Sequence, residues 1–140
     1  MELEIIGKIK GNKSVKLPLV LSTVSAGFPS PAEDYAESSI DLNEELIDNK
    51  TATFFVRVAG DSMIDANIKS GDVLIVDKSK EAMNNNIVIA LLEGEFTVKR
   101  LKIKGAKIFL QAENENYKPI EVKNDLVIWG VVTYIIHKAL

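Results

Sequence analysis

From residue 51 onward the chain runs in short stretches rich in β-branched and aromatic residues, broken by small polar turns. That pattern predicts strands at Thr51–Ala59, Val73–Asp77, Asn86–Leu92, Glu95–Lys104, Lys107–Gln111 and Leu126–Ile136. Glu93-Gly94 is short enough to close a hairpin, and Gly71-Asp72 and Gly105 punctuate other runs. Ile87–Leu92 is apolar without interruption, which predicts burial on both faces. The first 50 residues read differently. Leu3–Ile9 and Leu17–Val24 are two short apolar stretches split by Gly11-Asn12-Lys13-Ser14, and Ser25-Ala26-Gly27-Phe28-Pro29 closes the segment with small residues and a breaker. Residues 1–29 therefore read as an N-terminal arm, and residues 30–140 as the folded domain. Ser30-Pro31-Ala32-Glu33 has the form of a capping box and predicts a helix over about 31–38. Asp41-Leu42-Asn43-Glu44 repeats the signal for a second short helix ending near Asn49-Lys50. The expected fold is mostly β, with two short helices and an extended arm.

One strand breaks its own pattern. Side chains on Glu95–Lys104 alternate between two faces. Arg100, Lys102 and Lys104 share one, which reads as solvated, while Lys99 shares the other with Thr97, Leu101 and Ile103. Burial disfavours the charged form of lysine, and a neutral amine can accept a proton where an ammonium cannot. Ser62 lies in Gly60-Asp61-Ser62-Met63, a glycine-containing turn that follows another predicted strand. A serine hydroxyl needs a base to become a nucleophile. The pair suggests a serine–lysine hydrolase, with the Thr97 hydroxyl orienting the amine and the backbone N–H groups of Asp61 and Ser62 forming an oxyanion hole. A simpler reading stays open on residue types alone: a serine in such a turn can be only a turn residue, and a lysine can snorkel out to water.

Composition removes most competitors. The 140 residues suffice for one domain with a real core. There is no cysteine, hence no disulfide and no thiolate chemistry. A single histidine, His137, leaves no His-based metal site to expect and only one way to build a Ser-His-Asp triad. No cofactor or metal is expected. Net charge is −3, so the basic footprint of a sequence-specific DNA binder is missing. No apolar run approaches the ~18 residues of a membrane span, and Met1-Glu2-Leu3-Glu4 does not resemble a signal peptide. A cytoplasmic protein is expected. Phe54, Phe55, Phe109 and Trp129 sit in strand patterns and are expected in the core.

Three segments, in order, resemble the LexA/UmuD family of self-cleaving serine–lysine peptidases. Gly60-Asp61-Ser62-Met63-Ile64-Asp65 is similar to its nucleophile segment, Gly71–Asp77 to the strand that follows, and Glu95–Leu101 to its general-base segment. The 37-residue spacing from Ser62 to Lys99 fits as well. Ala26-Gly27-Phe28-Pro29-Ser30-Pro31 followed by Asp34-Tyr35 resembles the cleavage region of the UmuD-type members, with Ala26-Gly27 as the scissile bond. The best-known UmuD proteins have cysteine before that glycine, whereas Ala26 matches the LexA-type site. The resemblance begins near residue 17, and residues 1–16 match nothing in it. It implies a LexA/signal-peptidase-like catalytic β domain of twisted antiparallel sheets. It also implies a homodimer that cuts itself when stimulated by a RecA–single-stranded DNA filament. The shortened form would then serve a UmuC-type polymerase in translesion synthesis after DNA damage. Ser62 would attack, Lys99 would take its proton, and water would resolve the acyl-enzyme. Other readings are a non-catalytic polymerase-binding regulator, a LexA-like transcriptional regulator without its DNA-binding domain, and a signal-peptidase relative, which would need a membrane anchor.

Overall fold

The computed structural model describes residues 2–8, 16–20, 37–123 and 126–140. In chain order the described strands are β1 (Glu2–Lys8), β2 (Lys16–Val20), β3 (Glu37–Asp41), β4 (Thr53–Ala59), β5 (Val73–Asp77), β6 (Ile87–Leu92), β7 (Glu95–Lys104), β8 (Lys107–Gln111), β9 (Ile120–Val122) and β10 (Leu126–Ile136). Helix α1 (Leu42–Leu46) follows β3, and single 3-10 turns lie at Lys50–Ala52 and Ile64–Ala66. The chain forms two compact units. One contains residues 1–9 and 49–140, the other residues 10–48. The units therefore do not divide at residue 29, because β1 belongs with the large sheet.

In the larger unit, eight strands form one sheet in the order β1-β4-β5-β10-β6-β7-β8-β9. Every neighbouring pair is antiparallel. The mostly-β expectation is borne out, and β5, β7, β8 and β10 have the predicted bounds. Glu93 and Gly94 both take positive φ, 51° and 81°. That is the backbone of a two-residue hairpin whose twist matches the strands it joins. β6 is buried on both faces, as its unbroken apolar run predicts. Val88 and Ala90 enter a cluster with Leu101, Leu110 and Val131, whereas Ile89 enters one with Val56, Met63, Leu74, Val76 and Val98. Phe54, Phe55, Phe109 and Trp129 are only half-buried, so the fully buried core is aliphatic rather than aromatic.

In the smaller unit, β2 pairs with β3 from Lys16↔Asp41 to Val20↔Glu37. The helix expected over 31–38 fails at its described end, since Glu37 and Ser38 lie in β3; residues 31–36 are outside the described residues. Pairing with β2 gives these residues a tertiary partner that a local capping signal does not anticipate. The second signal succeeds. Asp41 caps α1 by accepting from Asn43 N at 3.0 Å. The helix ends at Leu46, earlier than expected, because Ile47 is already extended with φ −126° and ψ 112°.

Strand β10 lies between β5 and β6 and shifts register against β6 between Ile128 and Gly130. Gly130 is required there by close approach: a Cβ would meet Val76 Cγ1 at 2.5 Å and the Asp77 carbonyl at 3.4 Å. Val76 is fully buried and β-branched, so it has little room to turn away. Gly130→Ala is expected to destabilise the protein by about 1–3 kcal/mol through overpacking. Denaturant unfolding measures this, and a variant as stable as the wild type would contradict the close-packed reading.

Candidate active site

Strand β4 ends at Ala59, and Gly60 turns the chain with φ 108°, a conformation that side chains rarely adopt. The next residues descend into the protein, with Ser62 1% and Met63 0% exposed. The Met63 side chain joins the cluster that holds Val56, Val58 and Val98, so packing anchors the residue beside Ser62. Lys99 comes from β7, in register with Val88 of β6. Its face is the one that strand alternation predicts: Val98 belongs to one core cluster and Leu101 to the other. Lys99 is 8% exposed. It is a buried amine and does not snorkel to solvent.

The structure brings the two predicted residues together. Lys99 Nζ lies 3.4 Å from Ser62 Oγ, 2.8 Å from Thr97 Oγ1 and 3.0 Å from the carbonyl oxygen of Val98. The three oxygens differ in kind. The carbonyl can only accept, whereas either hydroxyl can donate or accept. An ammonium would donate to all three. A neutral amine would donate to Val98 O and Thr97 Oγ1 and keep its lone pair for the Ser62 O–H. The same geometry therefore serves both protonation states. Burial favours the neutral form, because desolvation holds the Lys99 pKa below its ordinary value of 10.5. A cavity of about 360 Å³ opens over Thr97 and Lys99, walled by Leu92, Leu110 and Ile120 with Glu93 and Glu95.

Sequence reasoning missed the loop that follows β8. Asn114 Nδ2 donates to the Asp61 carbonyl at 2.9 Å, and the Tyr117 hydroxyl donates to Asp61 Oδ1 at 3.0 Å. The Asp61 carboxylate pushes the Tyr117 phenol up, chiefly through that hydrogen bond and then through its charge. Asp65 N donates to the Glu113 carbonyl at 2.7 Å, and Glu113 N to Met63 Sδ at 3.4 Å. Residues 113–117 thus grip the Ser62 turn at Asp61, Met63 and Asp65. The grip reaches back to β7, where Arg100 Nε donates to Glu113 Oε1 at 2.5 Å and Arg100 Nη1 to the Asn85 carbonyl at 2.7 Å. These contacts explain why the basic face of β7 is not simply solvated. Arg100 and Lys102 are half-buried and paired, and only Lys104 is exposed. The one sequence signal for this loop is its run of Asn and Glu with Tyr117, which has no period and reads as punctuation.

Two other expectations can be placed. His137 Nδ1 lies 3.8 Å from Asp72 Oδ2, while the basic partner of Ser62 is Lys99. Ala26 and Gly27 are outside the described residues. No helix among the described residues is long and apolar enough to cross a membrane.

A β-sheet protein with a buried serine and a buried lysine amine in contact is the outline of a serine–lysine peptidase. The comparisons with known proteins give the peptidase family, without the residues that act in it. The Peptidase S24-like family matches residues 18–133, and the chain belongs to that family, which includes self-cleaving serine peptidases. Protein SamA of Salmonella typhimurium is 50% identical over 121 residues, covering 86% of this chain and 85% of SamA. Protein MucA of Escherichia coli is 39% identical over 137 residues, covering 96% and 93%. The LexA repressor of Shewanella piezotolerans is 45% identical over 106 residues, which span 76% of this chain and 50% of the repressor. The resemblance read from the three motifs is borne out, and the chain is a UmuD-type member of the family.

The buried amine has a consequence for stability. Lys99 holds its proton less tightly folded than unfolded. The penalty is therefore complete below the lowered pKa and fades as pH rises toward 10.5. Wild-type stability should gain on that of Lys99→Met as pH climbs through this window, whatever the constant offset between them. Guanidinium unfolding across pH measures it, and an offset independent of pH would show that Lys99 is not desolvated.

Proposed function

We propose that the chain is a self-cleaving endopeptidase that cuts its own Ala26–Gly27 bond with Ser62 as nucleophile and Lys99 as general base. The observation that carries this reading is the buried contact of 3.4 Å between Lys99 Nζ and Ser62 Oγ. In the proposed reaction the neutral amine takes the Ser62 proton as Oγ attacks the Ala26 carbonyl carbon. The resulting ammonium returns the proton to the Gly27 nitrogen, which leaves as a new N-terminus. Residues 1–26 are then held as an ester on Ser62. Lys99 draws a proton from the water that opens the ester and passes it to the departing Ser62 Oγ, and the acid formed at Ala26 gives its proton to solvent, leaving a carboxylate and free Ser62. Thr97 and the Val98 carbonyl hold the amine in place throughout. The Ser62 and Asp61 N–H groups would stabilise the oxyanion. Asn114 supports that role, because the Asp61 carbonyl it holds shares one rigid peptide plane with the Ser62 N–H. A small residue such as Ala26 suits a shallow site, and Gly27 lets the backbone come close.

Tethering makes the scissile bond effectively concentrated, so control must come from how often the chain presents it. A ligand that prefers the cleavable arrangement raises its population. The family reading names that ligand as a RecA–single-stranded DNA filament. It names the working form as a homodimer and the user of residues 27–140 as a UmuC-type translesion polymerase in the cytoplasm. The UmuD-type relatives support this context.

Intact-mass spectrometry of wild type and Ser62→Ala, at neutral and alkaline pH and with or without the filament, tests the proposal. Under denaturing conditions wild type should give the masses of residues 1–26 and 27–140, sooner with filament, while Ser62→Ala stays whole. The unassisted rate should rise with pH until Lys99 is mostly deprotonated. Lys99→Arg should be inactive, because a guanidinium does not give up its proton in a protein. Cleavage by either variant, or a rate flat from about pH 7 to 10, would sink the mechanism.

A further inference from the structure

Strand β1 is separated from β4 by the whole of the smaller unit, yet it completes the large sheet. Its register runs from Glu2↔Ala59 to Lys8↔Phe54, with an irregularity between Ile5 and Gly7. β1 is the outermost strand, so β4 would be an open edge without it. Leu3 packs against the cluster of Val56, Val58 and Met63. Leu3 and Ile5, two apart on one face, line an apolar cavity of about 290 Å³ with Val56, Ile89, Phe96 and Trp129. The Trp129 ring stands 5.0 Å from Phe54 and 5.8 Å from Phe96 between centroids. Glu4 lies opposite Arg57, which sets unlike charges across the ladder. The fit is that of an extended segment with apolar residues at alternate positions and an acid between them.

The order of strands along the chain gives this packing a consequence. Ala26–Gly27 lies in sequence between β2 and β3, which pair with each other. A cut there leaves both ladders whole, β1 on β4 and β2 on β3, each now joining residues 1–26 to the remainder without a covalent bond. We propose that the β4 edge and its adjoining apolar cavity are a strand-docking site. Residues 2–8 of this chain fill it, and through it the 1–26 peptide stays bound after the chain is cut. Cleavage and release are then separate events, and only release uncovers the β4 edge. The role at the cleavage bond rests on the proposed function; the docking site itself does not.

The experiment keeps the two apart by cutting with another enzyme. Full-length Ser62→Ala carries the recognition sequence of a site-specific protease, inserted in one variant between Ala26 and Gly27 and in a second between Gly11 and Asn12. After digestion, native mass spectrometry and gel filtration read whether the N-terminal piece travels with the rest. Both pieces should be retained under native conditions and separate only in denaturant. Retention in the second variant isolates β1 on β4, because β2 is no longer attached to the peptide. Leu3→Asp should weaken retention by about tenfold or more, since an apolar anchor is replaced by a charge. Loss of the short piece as soon as it is cut would overturn the docking site, as would unchanged retention in Leu3→Asp. Neither result depends on whether Ser62 ever cleaves the chain.

Discussion

An amine held out of water organises this site. Lys99 must forgo hydration, so it needs oxygen partners, and β7 supplies two of the three from its own residues, Thr97 and Val98. The third is Ser62, delivered by a turn from a different part of the chain. That delivery requires β4 to be followed by a residue tolerant of positive φ, Met63 to be locked in the core, and the loop after β8 to hold Asp61 and Asp65. Arg100, next to Lys99, joins that loop to β7 through Glu113. The strand carrying the amine and the turn carrying the hydroxyl are thus tied by packing on one side and by hydrogen bonds on the other. A contact of 3.4 Å is maintained by this frame rather than by the strength of the contact itself.

The two compact units separate the proposed chemistry from its proposed substrate. Ser62 and Lys99 lie in the unit of residues 1–9 and 49–140, and the Ala26–Gly27 bond lies in sequence within residues 10–48. Under the proposed reading, the reacting groups are always assembled and the timing of cleavage lies in presentation of the bond. A preassembled dyad needs no conformational change of its own to become active. The economical place for an external ligand to act is then the presentation of the bond, where a modest difference in affinity changes a small population.

The dyad was legible because both of its signals are local. Lys99 betrays itself by strand parity over Glu95–Lys104, and Ser62 by its place in a turn between two strands. The strands β5, β7, β8 and β10 were legible for the same reason. What could not be seen depends on distant pairing. Glu37 and Ser38 follow a strong helix start signal but become strand because β2 lies beside them. Leu3–Ile9 looks like an arm because nothing nearby reveals that β4 will accept the strand Glu2–Lys8. Asn114 and Tyr117 sit in an aperiodic polar loop whose value comes only from facing Asp61. The aromatics expected in the core are only half-buried, Trp129 packing against one core cluster, because strand alternation says which face a residue takes, not how completely that face is covered.

The central claim is that Lys99 is a desolvated amine able to accept a proton from Ser62. The direct measurement is the titration of the Lys99 side chain by heteronuclear NMR of selectively labelled protein, with Ser62→Ala used to prevent cleavage during the experiment. The account predicts that one lysine, identified by its loss in Lys99→Met, titrates clearly below the ordinary lysine range near 10.4 while the exposed lysines stay within it. A Lys99 resonance that titrates together with the exposed lysines would contradict it.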